Sequence, residues 1–315
     1  MNIPWTEKYR PKLIDNIYSH DMIIDITKKL IKENKLNNLI LYGPPGTGKT
    51  TLINCILKEI YGDEYRKHIL ELNGSDDRGI NTVRDEIKTY ASYNSIFNDK
   101  IKLVILDEVD SMTEDAQYAL KEIIELYNKK TKFCLICNFI NKIVYSLQST
   151  CIVFRFSALD SINMKQFLLN ICDKEKMSFT QNSLDLIILL SEGDLRKACN
   201  YLQAIFLAYN KINISNIYNY LNIPTNKEIK QILYNSKNIP LLENFNFLNE
   251  LIIKKSYSLN NIITFLIDEI VKNNKNITDM NNLIIKLSNI EKNINKFGDL
   301  NVQIYSLISL LFIIN

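Results

Sequence analysis

Leu39-Ile-Leu-Tyr-Gly43-Pro-Pro-Gly46-Thr-Gly48-Lys49-Thr50-Thr51 joins a short apolar run to a glycine-rich turn, and the apolar-periodic segment Leu52-Ile53…Ile56-Leu57…Ile60 follows it. That order predicts a strand, a loop and the first turns of a helix. The loop reads G-x-x-x-x-G-K-[ST], a phosphate-binding pattern, and each residue type in it has a physical reason. Gly43, Gly46 and Gly48 let backbone N–H groups approach a polyphosphate and take positive φ, and the positive end of the following helix adds to the attraction. Lys49 is placed to put a point charge on the β- and γ-phosphates, and Thr50 to offer its hydroxyl to Mg²⁺. The whole loop, with Pro44, Pro45, Thr47 and Thr51, is expected to wrap a nucleoside triphosphate.

A second stretch completes the chemistry. Lys102-Leu-Val-Ile-Leu106-Asp107-Glu108 is an apolar strand ending in two acids, the Walker B arrangement. Asp107 is expected to hold Mg²⁺, and Glu108 to orient or deprotonate an attacking water. Read alone, Glu108 and Asp110 equally suit an acidic helix start after a buried strand. Asn138 follows the next apolar run directly, where its amide can touch the γ-phosphate or position water. Arg196, in Gly193-Asp194-Leu195-Arg196, opens a helix further on and can report the γ-phosphate to it. The order of these features is that of a two-domain switch ATPase, so Lys49, Asp107, Glu108, Asn138 and Arg196 are the expected catalytic set.

The rest of the chain frames that site. Five β-like runs, Leu39–Tyr42, His68–Leu72, Ile101–Leu106, Lys132–Cys137 and Ile152–Phe156, alternate with helical patterns at Asp21–Asn34, Ile80–Tyr93 and Thr113–Tyr127. Alternation of this kind predicts a parallel α/β sheet with the nucleotide at its carboxyl edge. From Asp160 the strands stop, and Ile162–Cys172, Ser183–Ser191 and Asp194–Tyr209 read as three short helices. Ile223-Pro224-Thr225-Asn226 reads as a linker, and the remainder is again helical. The expected division is therefore 1–158, 159–222 and 227–315. The closing run Ile304–Ile314 is apolar almost all round and so is expected to be buried, in its own domain or against other subunits.

Composition excludes several classes. The start shows no apolar signal core, and the longest apolar stretches are too short to span a bilayer, so no membrane association is expected. Six cysteines without framework spacing suit a reducing compartment; Cys134 and Cys137 form a CxxC inside an apolar strand and read as buried packing residues. Two histidines leave little room for His-based metal or triad chemistry. A net charge of +3 is too small to announce nucleic-acid binding.

Three further stretches are far more selective than the phosphate loop: Pro4-Trp5-Thr6-Glu7-Lys8-Tyr9-Arg10-Pro11, Glu71-Leu72-Asn73-Gly74-Ser75-Asp76-Asp77-Arg78-Gly79 and Phe133-Cys134-Leu135-Ile136-Cys137-Asn138. They resemble the small subunits of replication factor C, the AAA+ sliding-clamp loader, over about residues 4–210. Within those subunits the stretch Phe133–Phe156 is most similar to the one numbered three in yeast and five in humans. The resemblance implies an AAA+ core, a three-helix lid and an all-helical collar used for oligomerisation. It implies a nuclear heteropentamer with other replication factor C subunits that opens a ring-shaped clamp of the PCNA type and closes it around primer–template DNA. By that resemblance Asn138 and Arg196 match sensors 1 and 2, and Tyr9, Arg10 and Pro11 match the stretch lining the adenine pocket. Arg78, Arg84 and Lys88 fall where the family faces DNA phosphates, with a solvated basic face as the plain alternative. Tyr90, Tyr93, Ile96 and Phe97 fall where the family touches the clamp, with simple core packing as the alternative.

One position departs from the pattern. The family has Ser-Arg-Cys where this chain has Ser149-Thr150-Cys151, and that arginine reaches into a neighbour's ATP site. Arg155 belongs to Phe154-Arg155-Phe156 and matches another position. The expectation is a subunit that hydrolyses ATP in its own site but gives its neighbour a weakened or absent arginine finger. Two other readings stay open: a structural subunit that binds ATP and turns over little, and a helicase or branch-migration ATPase.

Overall fold

A computed structural model describes residues 3–33, 35–62, 65, 68–75, 79–92, 102–273, 277–296 and 298–314; at 79–84, 273, 277–280, 313 and 314 it describes backbone alone. Two compact units divide between Ile212 and Asn213.

The first unit opens with one turn, α1 (Trp5–Lys8), and α2 (Asp21–Lys32). Then come β1 (Leu39–Tyr42), α3 (Lys49–Tyr61), β2 (Ile69–Asn73), α4 (Gly79–Ser92), β3 (Lys102–Asp107), α5 (Glu114–Tyr127), β4 (Thr131–Cys137), the short α6 (Tyr145–Gln148) and β5 (Ile152–Arg155). These five strands form one parallel sheet in the order β2-β3-β4-β1-β5. Parallel strands covered on both faces need apolar residues at nearly every position, which is why the central runs β1, β3 and β4 are continuous rather than alternating, while the edge strands β2 and β5 carry the polar Glu71, Asn73 and Arg155. Along β1 and β4, Leu39, Leu41, Cys134 and Ile136 join α3 in one core. Ile40, Phe133, Leu135 and Cys137 join α5 in the other. Cys134 and Cys137 are packing residues of β4, and burial pushes the Cys137 thiol up to about 12.

The strand order positions the site. β4 lies between β1 and β3, so the phosphate loop, Asn138 and Asp107 leave three adjacent strands at the same carboxyl edge.

After the sheet come α7 (Ser161–Lys174), β6 (Ser178–Phe179), α8 (Gln181–Ser191), α9 (Leu195–Tyr209) and β7 (Lys211–Ile212). The expectation that strands end at Asp160 is corrected here, because β6 and β7 pair in parallel, Ser178 with Lys211 and Phe179 with Ile212. Two-residue strands are too short to leave a sequence period, and this pair exists only because α7 and α9 bring its halves together.

The second unit is wholly helical among its described residues: α10 (Ile214–Leu221), α11 (Asn226–Asn238), α12 (Leu241–Lys255), α13 (Leu259–Asn273), α14 (Ile277–Asn295) and α15 (Leu300–Ile314). The expected linker is partly helix start. Thr225 caps α11, its side chain accepting from the Glu228 N–H while the Glu228 carboxylate accepts from the Thr225 N–H and hydroxyl. α15 buries Ile304, Leu307, Ile308, Leu310 and Leu311 within this unit, and exposes Val302 and Phe312. No helix among the described residues is long and apolar enough to cross a membrane.

Candidate active site

One cleft in the first unit is lined by Pro45 through Thr51, Asp107, Glu108, Asn138 and Arg196, together with Arg10 and Pro11. The phosphate loop fits here for local reasons. Gly46 has φ 69, and a Cβ there would lie 1.7 Å from Asp194 Oδ1, so any other residue would collide with the start of α9. Gly48 caps α3 at φ 98. The Leu195 N–H donates to the Gly46 carbonyl at 3.2 Å, fastening α9 to the loop.

Lys49 is buried, and its ammonium donates to the carbonyls of Gly43 (2.7 Å) and Pro44 (2.8 Å) and to Asn138 Oδ1 (3.1 Å). Burial holds its pKa below the ordinary lysine value; Asp107 opposes that effect, and Arg196 adds to it. Two cations therefore converge where phosphate oxygens would satisfy both.

Thr50 Oγ1 and Asp107 Oδ2 are 3.5 Å apart, a hydroxyl and a carboxylate brought together from α3 and β3. This hard-oxygen pair fits Mg²⁺. The other Asp107 oxygen accepts from the Glu108 N–H at 2.8 Å, and the Asp107 carbonyl accepts from the Gly74 N–H at 2.7 Å. Glu108 is exposed in the cleft on a left-handed backbone.

Asp110, given no role by the sequence reading, accepts from the backbone N–H groups of Asn138 (3.3 Å) and Phe139 (3.2 Å). It aims the residue that Lys49 touches. The cleft also gains Ile17, Tyr18 and Phe167, apolar and aromatic walls that lie outside every motif read from the sequence. Their signal lay in three-dimensional proximity rather than spacing.

Other expected site residues fall elsewhere. Tyr9 is not among the residues lining the cleft: its hydroxyl donates to Glu175, at the C-terminal end of α7, whereas Arg10 and Pro11, expected beside it, line the cleft. Gly43 and Pro44 meet Lys49 through their carbonyls from outside the cleft wall. Lys88 is half-buried on α4; Arg78 lies outside the described residues, as does the side chain of Arg84. Tyr93, Ile96 and Phe97 also lie outside them, whereas Tyr90 packs on the core with Lys102 over its ring. Thr150 turns its hydroxyl back to the Leu147 carbonyl at 2.7 Å. A hollow of about 480 Å³ adjoins the cleft through Arg10 and Pro11, but no phosphate-loop residue lines it.

With this geometry in place, the comparisons sort the readings. Residues 39–158 match the family described as "ATPase family associated with various cellular activities", and residues 224–309 match the replication factor C C-terminal domain. A probable replication factor C subunit 5 of Dictyostelium discoideum is 40% identical over 98% of this chain and 90% of that protein. Replication factor C subunit 5 of Homo sapiens is 41% identical over 84% of this chain and 78% of that protein. Subunit 3 of Schizosaccharomyces pombe is 40% identical over the same shares. Among solved structures, the RuvB Holliday junction branch migration motor of Thermotoga maritima superimposes with a TM-score of 0.56, covering 83% of this chain and 91% of that one. At 16% identity that likeness speaks for the AAA+ fold and not for branch migration. The chain is a nucleotide-binding AAA+ ATPase, and it belongs to the replication factor C subunit family.

Proposed function

We propose that this chain hydrolyses Mg·ATP as a small subunit of a heteropentameric clamp loader, opening a ring-shaped clamp of the PCNA type and releasing it on primer–template DNA. The observation that carries this reading is the convergence of Lys49, Thr50, Asp107, Glu108, Asn138 and Arg196 on one cleft. A site that only held nucleotide for structural purposes has no use for Glu108. Thr50 and Asp107 would hold Mg²⁺, which supplies neutralisation of phosphate charge. Lys49 and Arg196 bind the phosphates, Glu108 orients the attacking water, and Asn138, aimed by Asp110, senses the terminal phosphate. Residues 1–158 act as the ATPase core, 159–222 as its lid and 227–315 as the collar that joins other replication factor C subunits. DNA phosphates would be met by Arg78, Arg84 and Lys88. The relatives from human and fission yeast support a nuclear site of action, which a fluorescent fusion would check.

The test is ATP hydrolysis by the reconstituted complex with clamp and primed DNA, comparing wild type with Lys49→Ala in this subunit. A large fall in clamp- and DNA-stimulated turnover is expected. Unchanged turnover with clamp loading intact would replace this reading with that of a structural subunit.

A further inference from the structure

We propose that Glu175 is a positioning residue for nucleotide binding, acting through Tyr9 on a strap, residues 5–11, that joins the lid helices to the wall of the cleft. The proposal rests on the reading of that cleft as a nucleotide site.

The strap is anchored at both ends. At its start the Trp5 N–H donates to Gln203 Oε1 on α9 at 2.9 Å, and the Trp5 ring packs on Phe206 with centroids 5.8 Å apart. At its end the Pro11 carbonyl accepts from the Cys55 thiol at 3.3 Å, on α3, the helix that begins at the phosphate loop. Between these anchors Thr6, Arg10 and Pro11 face the cleft.

Tyr9 and Arg10 are consecutive but serve opposite sides. The Tyr9 hydroxyl donates to Glu175 Oε1, and the Lys8 ammonium donates to the same oxygen. Arg10 lines the cleft. The peptide unit joining Tyr9 to Arg10 is planar and does not rotate, and the turn is closed by Tyr9 N–H to Trp5 carbonyl and Arg10 N–H to Glu7 carbonyl bonds. With the turn held by these bonds, fixing the Tyr9 side chain at Glu175 narrows the positions open to the backbone from which Arg10 extends.

Glu175 is an odd choice by local rules. It caps the C-terminus of α7, where the helix dipole disfavours an anion. Lys8 and Tyr9 offset that cost, and Lys174 lies 5.6 Å from the Tyr9 ring centroid. Lys8 first, then Tyr9, hold the Glu175 carboxyl below its ordinary range, so the latch is charged at neutral pH. An acid placed against the local preference and held, among the described residues, by Lys8 and Tyr9 of the strap is explained by what the strap does.

The experiment uses the full chain and a ribose-labelled fluorescent ATP, with affinity read by anisotropy and thermal midpoint read without nucleotide. Tyr9→Phe and Glu175→Ala are each expected to weaken affinity by roughly five- to tenfold. The double variant should bind no more weakly than either single one, because both remove the same link. Glu175→Gln, which keeps an oxygen acceptor for Tyr9, should recover most of the affinity. In turnover the loss should fall on KM for ATP and leave kcat in place. Affinities within twofold of wild type would overturn the proposal, as would additive losses or losses that follow a matching drop in the nucleotide-free midpoint. Failure of the wild-type chain to bind the labelled nucleotide would overturn the reading of the cleft and this proposal with it.

Discussion

Glu108 holds a left-handed backbone, φ 54 and ψ 39, where β3 gives way to a 3-10 turn. A side-chain-bearing residue in that region costs on the order of 1 kcal/mol, and such strain collects at functional sites. It is held there by the Ser111 hydroxyl, which donates to the Glu108 carbonyl at 2.7 Å, and by the Asp107 carboxylate on its N–H. Glu108→Gln keeps the shape and removes the carboxylate proposed to orient water. Nucleotide affinity should stay within about threefold, while turnover in the complex falls by roughly 10²–10³-fold. Equal losses in binding and turnover would assign Glu108 to binding instead. The placement of Glu108 at the carboxyl edge of the sheet was legible from an apolar strand ending in two acids. The clamp of Asp110 on Asn138 was not, because those residues are distant in sequence and meet only through the pairing of β3 with β4. The turn of Tyr9 toward Glu175 was hidden for a related reason: the Tyr-Arg-Pro motif fixes which residues are present, and the orientation of the turn decides which of them lines the cleft.

Elements were legible wherever burial imposed a long period. All five strands of the sheet fall within a residue or two of the expected runs; the central three are apolar stretches buried on both sides, and even the edge strands β2 and β5 keep three apolar residues each. α10 escaped although Ile214, Ile217, Tyr218 and Leu221 fall at helical spacing, because its eight residues make barely two turns between a two-residue strand and Asn222 in a left-handed conformation. Caps were sharper than periods. Asp160, Asp194, Asn213 and Thr225 each accept from the backbone N–H of the third residue on, starting α7, α9, α10 and α11. The Thr225 cap also carries the chain's clearest acid-sensitive group. Burial works to raise the Glu228 pKa, but Lys255, the Thr225 N–H and hydroxyl, and Tyr257 outweigh it and hold it at about 2. A folded pKa below the unfolded value stabilises above the ordinary carboxylate range, and that contribution is lost as pH falls from 4.5 toward about 2. Glu228→Gln should therefore lower stability by about 1–2 kcal/mol at pH 7, a figure reduced because Lys255 is half exposed. Urea midpoints of the two proteins should converge as pH drops through that window. A difference that persists unchanged at the acid end would assign the effect to packing.

At the scale of the whole molecule, the strand order decides what meets what, and the chain read in sequence gives only the list of participants. Placing β4 between β1 and β3 seats Asn138 against Lys49, although 89 residues separate them. The same scale governs the proposal about Thr150, since the arginine finger expected at that position would act in a neighbour's site. Thr150 is bonded to its own helix end, with no cation to extend. Thr150→Arg in an assembled complex should raise turnover at the adjacent site by at least about tenfold. Unchanged turnover in a complex that assembles normally would remove the idea. The bond from Leu195 to the Gly46 carbonyl has a mechanical consequence of its own. It makes the phosphate loop the fulcrum of α9, a rod of 15 residues and so about 22 Å long. A tilt of roughly 10° about that point would carry the Tyr209 end by about 4 Å, for a rise of 1.5 Å per residue. A slight adjustment among the phosphates arrives at the end of the rod as a displacement of about three-quarters of a helical turn.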